Sequence, residues 1–200
     1  MDEVIRNQVS WLSGLLLFIS FIPYTINIVR HRNVLDKNKP VIATWLLYFC
    51  FDIINVLGME KANALNGLAM GALLGSTVTM VLAFLYGKPG WNIFDKICLF
   101  IGIIAIILWS LSDNPEYAII FSCLGLFVAS FPTFISVKEN PIRESRATWT
   151  IDAIACILAT LAIPQWDINN AFQPLTFLLI VTVMVWFLWL QPVRISSKVT

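Results

Sequence analysis

Two acidic residues stand inside long apolar segments of this chain, and their carboxyl groups are the first candidates for chemistry. Asp52 lies well inside the segment 40–59, and Asp152 lies about a turn and a half into the segment 147–163. A carboxylate inside a membrane is costly unless it is paired, hydrated or protonated. Since no Lys or Arg lies deep in any apolar segment, each carboxyl group must face a polar cavity or hold a proton. The chemistry would be that of a proton site or a partner for a cationic solute, and the alternative is a neutral acid hydrogen-bonded between helices.

A stripe of polar and aromatic residues surrounds the first of these carboxyl groups. Tyr48, Asp52 and Asn55 are spaced by four and three residues, which places them on one face of a helix. Trp45 extends this face by one further turn. Such a face is costly to expose to lipid, so we expect it to line a cavity that binds a solute. For Trp45 and its counterpart Trp149, an interfacial tryptophan belt is an equal alternative.

The composition places the whole chain in a membrane. Of its 200 residues, 58% are hydrophobic and 12% are charged, whereas about a quarter of the residues of a typical soluble domain are charged. This excludes a soluble enzyme and a disordered chain. The net charge of +1 gives no electrostatic field that would hold a nucleic acid. The sequence therefore predicts an all-α membrane protein whose surroundings are the lipid bilayer.

Seven apolar segments are long enough to be transmembrane helices, since about 20 mostly apolar residues cross a hydrocarbon core of about 30 Å. These segments are 9–30, 40–59, 63–87, 93–112, 115–136, 147–163 and 170–190. The connections between them are short and leave no room for a second, soluble domain. The first segment follows an acidic start without an evident cleavage site, so it is interpreted as a retained helix.

The basic residues predict the orientation. Alternating crossings place 2 of the 13 Lys and Arg residues (Arg6 and Lys61) on the side of the N-terminus and the other 11 on the opposite side. Cytoplasmic loops carry an excess of Lys and Arg. The N-terminus is therefore expected outside and the C-terminus in the cytoplasm, in a multi-pass protein of the plasma or inner membrane.

Three short patterns recur in the same order in the two halves of the chain. They pair residues 21–25 with 130–134, 43–45 with 147–149, and 63–66 with 170–173, at offsets of 109, 104 and 107 residues. This favours a duplicated three-helix unit, with repeats at 9–87 and 115–190. An extra crossing at 93–112 would restore a parallel orientation, which gives a 3+1+3 arrangement.

On these residues the chain resembles the PQ-loop/SWEET superfamily of small seven-helix transporters, which are built from parallel repeats. The resemblance covers nearly the whole chain in architecture, and in residues it depends on Pro23, Pro132 and the polar starts of the third and seventh segments. The glutamine of the PQ motif is replaced by Tyr24 in one repeat and Thr133 in the other.

The resemblance implies a substrate site between the third and seventh segments. In that family, Asn residues of these two helices face each other across the substrate path, with aromatic residues of the second helix of each repeat nearby. The matching positions here are Asn66 and Gln173, whose amides both donate and accept hydrogen bonds. Asn63 and Asn170 are the rival register, although residues at helix starts are more often N-caps.

Proline and glycine mark the other positions of interest. Pro23 and Pro132 each remove a helical amide donor, and their recurrence favours paired hinges of a gate over static kinks. Small residues recur at every fourth position of the third segment, beginning with Gly67, Gly71 and Gly75. Such a stripe is typical of close helix packing and not of chemistry.

The leading functional hypothesis is a transporter that moves a small polar solute by alternating access, with proton coupling through Asp52 as an option. The solute would be a sugar or a small cationic or heterocyclic metabolite. The alternative is a seven-helix receptor or sorting protein on a similar scaffold. The four Cys residues are distributed over four segments and the single residue His31 lies outside them, so neither an enzyme, a metal site nor a cofactor is predicted. The sequence does not decide the oligomeric state, and both a monomer and a homo-oligomer are compatible with it.

Overall fold

The computed structural model of this protein describes residues 1–30, 39–139, 141 and 144–190. The helices are α1 (Glu3–Arg30), α2 (Ile42–Lys61), α3 (Gly67–Tyr86), α4 (Ile93–Ser112), α5 (Pro115–Ala129), α6 (Phe131–Glu139), α7 (Arg146–Leu161) and α8 (Ile168–Val185), and a π-helical turn follows at Trp186–Leu190. The described residues contain no β-strand. The prediction of an all-helical chain is confirmed.

Six of these helical stretches are long and apolar enough to cross a membrane. They are α1, α2, α3, α4, the pair α5 and α6 taken together, and α8 with most of the π-helical turn. α7 has only 16 residues and rises about 24 Å, less than the membrane core of about 30 Å. The structure thus has six helices of spanning length and a shorter one at the segment 147–163.

Two helix starts differ from the predicted ones, because the capping residues are not those expected. Asn66 is the N-cap of α3, where its side chain accepts a hydrogen bond from the Ala69 amide at 2.9 Å. Asp167 caps α8 in the same way. The expectation that Asn63 and Asn170 are the caps is wrong: Asn63 has φ of 54° in the turn after α2, and Asn170 donates to the Asp167 carboxylate from the first turn of α8.

The predicted segment 115–136 is two helices rather than one. α5 ends at Ala129, Ser130 forms a turn, and α6 begins at Phe131. The break is explained by Pro132, which has no amide hydrogen to donate to the Val128 carbonyl. α1, in contrast, continues through Pro23 up to Arg30. The two prolines therefore act differently on their helices.

The helices pack in two groups of three that follow the same order. In the first group α1 packs on α3, and α3 packs on α2; in the second, α5 packs on α8, and α8 packs on α7. Between the groups α1 packs on α7, and α2 packs on α5. α4 lies outside both groups and packs mainly on α5. Its residues have few buried side chains, as expected for a helix that is apolar all round.

α1 and α3 touch each other through their backbones. A Cβ atom added at Gly71 would fall inside van der Waals contact with the backbone of Gly14, and one added at Gly67 would meet the Ser10 carbonyl. The Gly67 amide also donates to the Ser10 hydroxyl at 3.0 Å. The two helices run parallel, because the contact four residues further along α3, at Gly71, is with the residue four positions further along α1, Gly14. Gly75 faces the Phe21 ring in the same interface. This contact is possible only without side chains at these positions.

The two ends of the helical bundle differ in charge. The amino end, where α1 begins, holds the α2–α3 and α4–α5 connections, which are joined by the ion pair between Lys61 and Asp113. The opposite end, called the basic end here, carries Arg30, Lys39, Lys88, Lys96, Lys138 and Arg146. Of the other residues predicted on this side, Arg32, Lys37, Arg143, Arg194 and Lys198, together with His31, lie outside the described residues.

Asp95 fixes α4 at the basic end. It forms a capping box with Asn92 at the start of α4, and its carboxylate accepts a hydrogen bond from the Thr44 hydroxyl of α2 at 2.8 Å. Only 2% of Asp95 is exposed, which its position at a helix end did not indicate. The carboxylate therefore has a structural role in joining α2 to α4.

Candidate functional site

A cavity of about 640 Å³ opens at the amino end between the two groups of helices. Its wall is formed by the start of α1, the α2–α3 connection, the end of α7 and the start of α8. The polar uncharged residues that line it are Asn7, Gln8, Ser10, Asn63, Asn66 and Asn170. Glu3 and Arg6, in the first two turns of α1, are its charged residues. A cavity with this lining suits a solute that is recognised by hydrogen bonds.

Two side-chain amides meet beside this cavity. Asn66 of α3 lines the cavity, and its Nδ2 donates to Oε1 of Gln173 on α8 at 3.1 Å. Gln173 lies behind the lining residues and is only 1% exposed, and its Nε2 has no hydrogen-bond partner among the described residues. An unpaired buried amide group costs about 1–3 kcal/mol. The pair therefore retains donor capacity that an oxygen acceptor on a bound solute could satisfy.

Pro174 is a cavity residue that the sequence analysis did not single out. It lies within α8, directly after Gln173, and lines the cavity. Because it has no amide hydrogen, the carbonyl of Asn170 lacks its helical donor, and Asn170 also lines the cavity. The sequence repeat could have drawn attention to this position, since an offset of 107 residues aligns Pro174 with Gly67.

The polar face of α2 packs against α5 instead of lining this cavity. The Tyr48 and Ser130 hydroxyls are 3.2 Å apart. Asn55 Nδ2 donates to Ser122 Oγ at 3.0 Å and to Cys123 Sγ at 3.3 Å. In this structure, therefore, Tyr48 and Asn55 join the two groups of helices, and the predicted contact of this face with a cavity is not seen.

The two carboxyl groups predicted to lie at depth are both buried, and each has a serine beside it. Asp52 is 4% exposed and interacts with Ser76 of α3. Asp152 is 8% exposed and interacts with Ser20 of α1. Neither residue lines the cavity at the amino end. Since the two carboxyl groups lie in different interfaces, they are separate sites.

Aromatic side chains of α1 and α2 pack on one another nearer the basic end. The ring of Trp45 lies 5.4 Å from that of Tyr24 and 5.4 Å from that of Tyr48, and Phe21 meets it edge-on at 6.3 Å. These rings connect α1 with α2. Trp45 is thus part of this aromatic cluster and does not line the cavity.

Trp149 occupies a related place in the second group of helices. Its indole nitrogen donates to the Glu144 carboxylate at 3.2 Å, just before α7 begins. Burial raises the pKa of Glu144, and the hydrogen bond from Trp149 acts in the opposite direction. The nearby Arg146 places its guanidinium 4.9 Å from the ring centre of Trp189. These contacts hold the start of α7 at the basic end.

The structure thus brings together one part of the predicted site and separates the rest. Asn66 and Gln173 meet beside the cavity. Trp45, Tyr48 and Trp149 lie in helix contacts nearer the basic end, and Asn55 lies in the contact between α2 and α5. No protein-family model matches this chain, and no curated protein is a match for it.

Proposed function

We propose that this protein is a multi-pass membrane transporter that moves a small polar solute by alternating access between two three-helix groups. The observation that carries this proposal is the Asn66–Gln173 pair, which joins α3 of one group to α8 of the other beside a polar cavity. The cavity opens at the amino end, and the packed rings of Tyr24, Trp45 and Tyr48 nearer the basic end are proposed as the closed side of the path. A path that is open on one side only is what alternating access requires.

The packing supports the repeat on which this proposal depends. In each group the third helix packs between the other two: α3 between α1 and α2, and α8 between α5 and α7. The groups meet where α1 packs on α7 and where α2 packs on α5. A twofold rotation that interchanges the two groups would carry the contact of α1 with α7 onto the contact of α5 with α2. Movement of one group against the other would change both contacts together.

The topology proposed is seven crossings, with the N-terminus outside and the C-terminus in the cytoplasm. α7 is short, but it reaches from Trp149 near the basic end to Ala159, and the residues after it, Ala162 and Ile163, line the cavity. The predominance of basic residues at one end gives the orientation. The cavity then opens to the outside.

The cavity lining favours a neutral or weakly charged solute that carries acceptor oxygens. Its polar residues are mostly amides. The unpaired Nε2 of Gln173, directly behind Asn66, is a further donor. A sugar fits this description, and a small heterocyclic metabolite with carbonyl or hydroxyl groups fits it as well. A thermal-shift screen of the purified protein against sugars, amino acids and vitamins tests the proposal, and each hit is then tested for uptake into liposomes. A hit that raises the melting temperature and is taken up supports transport, whereas a hit that binds without uptake indicates a receptor.

Pro132 is proposed as a hinge of the inner gate, because the helical stretch formed by α5 and α6 is broken between them, at Ser130. Pro132→Ala restores an amide hydrogen that can pair with the Val128 carbonyl. We expect slower uptake with unchanged solute affinity, measured as a lower kcat at constant Kd in liposomes. Pro115→Ala is the matched control, since Pro115 is at the first turn of α5, where no amide donor is needed. Equal uptake rates for the wild type and Pro132→Ala would show that Pro132 is a static kink. Equal uptake rates for the wild type and Pro23→Ala would show the same for Pro23.

Asp52 is proposed as a proton-coupling residue, since it is buried without a cationic partner among the described residues. If it gains and loses a proton during transport, uptake into liposomes should increase with an inward-directed proton gradient. Asp52→Asn should abolish this response while solute binding remains. Asp113→Asn, which changes an exposed carboxylate at the amino end, is the control. If uptake by the wild type does not change with the proton gradient, the protein is a facilitator and Asp52 is not a coupling residue.

A further inference from the structure

Two buried oxygen atoms of α7 have no hydrogen-bond partner among the residues that the structure describes. They are Oδ1 of Asp152 and Oγ1 of Thr148. The two residues are four positions apart, so their side chains lie on the same face of the helix, one turn from each other. A buried carboxylate oxygen without a partner is among the costliest groups in a protein interior. This pair therefore indicates a ligand.

The neighbouring serine offers a third oxygen but no hydrogen. Ser20 of α1 is 1% exposed and lies beside Asp152. Its hydroxyl hydrogen is donated to the Leu17 carbonyl at 2.6 Å. A hydroxyl donates only one hydrogen, so Ser20 presents lone pairs to the carboxyl group as long as it donates to Leu17. Two oxygens with lone pairs facing each other need a hydrogen or a cation between them.

α1 also has a released backbone acceptor one residue before Ser20. Pro23 has no amide hydrogen, and the carbonyl of Ile19 therefore lacks its helical donor. Ile19 directly precedes Ser20 in α1. In membrane helices, backbone carbonyls that are released in this way contribute to the binding of Na⁺.

The other half of the molecule provides an internal comparison. The offset of 104 residues that aligns Trp45 with Trp149 also aligns Tyr48 with Asp152. Tyr48 pairs with Ser130 through their hydroxyls at 3.2 Å, so its interface is satisfied by neutral groups. Asp152 has a much shorter side chain and leaves an oxygen without a partner. The interface between α1 and α7 therefore differs from the related one by an acidic side chain in the place of a tyrosine.

We propose that Asp152, Thr148 and Ser20 bind a sodium ion between α1 and α7. The set consists of oxygen atoms, which hard cations prefer, and it contains one carboxylate, which balances a single positive charge. A proton on Asp152 can pair with only one neighbouring oxygen. A Na⁺ ion can contact several oxygen atoms at once, and it would account for both unpaired oxygens.

The position of the site gives the ion a structural effect. α1 belongs to the first group of helices and α7 to the second, and Asp152 lies about two turns from Ala159 at the cavity wall. A bound Na⁺ would hold the two groups together on this side. This inference does not depend on the transport proposal, because binding of Na⁺ can be measured without a solute.

The test is the melting temperature of the purified protein in detergent, with NaCl replaced by choline chloride at constant ionic strength and pH. Saturating Na⁺ should raise the melting temperature by roughly 5 °C, with a hyperbolic dependence on concentration. Asp152→Asn should abolish the increase. Thr148→Val and Ser20→Ala, which keep the carboxylate, should shift the half-saturating concentration upward by about 10-fold.

The controls separate this site from other effects of salt. Asp52→Asn removes a second buried carboxyl group, in the interface between α2 and α3, and should retain the full response to Na⁺. A wild type whose melting temperature is the same in NaCl and choline chloride would overturn the proposal. A melting temperature that depends on pH through Asp152 but not on Na⁺ would assign a proton to the site, and this would overturn it equally.

Discussion

Gln173→Leu should eliminate the stabilisation that a bound solute gives to this protein. The substitution keeps most of the volume of the side chain but removes both its acceptor for Asn66 and its unpaired Nε2 donor. Each buried hydrogen bond to a solute contributes about 1–3 kcal/mol, which corresponds to roughly 10- to 100-fold in affinity. We therefore expect the dissociation constant of a solute from the thermal-shift screen to increase by at least about 10-fold.

The choice of variant separates binding from folding. Asn66→Ala should weaken binding as well, but it also removes the N-cap of α3, at a cost of about 0.5–2 kcal/mol. Gln173→Leu leaves that cap in place and is the sharper test. Thr182→Val is the control on the same helix, because Thr182 is exposed and its hydroxyl bonds within α8. An unchanged affinity in both Gln173→Leu and Asn66→Ala would show that the solute binds elsewhere.

Gly71→Ala should destabilise the protein more than any conservative substitution on the outer surface of α4. The added Cβ would overlap with the backbone of Gly14, and neither backbone can move without separating α1 from α3. Overpacking of this kind costs about 1–3 kcal/mol and sometimes more. We expect a lower melting temperature and a reduced yield of monodisperse protein in size-exclusion chromatography.

Gly102→Ala is the matched control, because it makes the same change in α4. A Cβ at Gly102 would lie 3.4 Å from the Phe51 ring, at the short end of an ordinary contact. Its melting temperature should stay close to that of the wild type. If Gly71→Ala were as stable as Gly102→Ala, the backbone contact between α1 and α3 would not contribute to the fold.

The helical character and the places of the long helices could be predicted because they depend on local properties of the chain. An apolar run of about 20 residues is a property of composition and length. The segment 93–112 coincides with Ile93–Ser112 of α4, where Asn92 and Asp95 form a capping box within four residues of each other. The predicted ends were less accurate at α3 and α8, because several polar residues there could serve as the cap.

The direction in which each helix presents its polar face could not be predicted in the same way. Tyr48 and Asn55 share a face by their spacing, but only the position of α5 decides that this face meets Ser130 and Ser122. The break at Ser130 depends on how the helix ends pack, since α1 continues through Pro23 under the same local rule. Local sequence gives the period of a helix but not its rotation against its neighbours.

What the sequence by itself determined is the type of structure, namely apolar helices with two carboxyl groups inside them and two amides near the starts of the third and seventh segments. The tertiary structure decided which of these groups meet. Asn66 and Gln173 are 107 residues apart and share a hydrogen bond, and Asp152 finds Ser20 of the first helix beside it. The physical reason is that a buried polar group is stabilised by partners in space. Those partners come from helices distant in the chain, whose packing is set by close contacts such as that of Gly14 with Gly71.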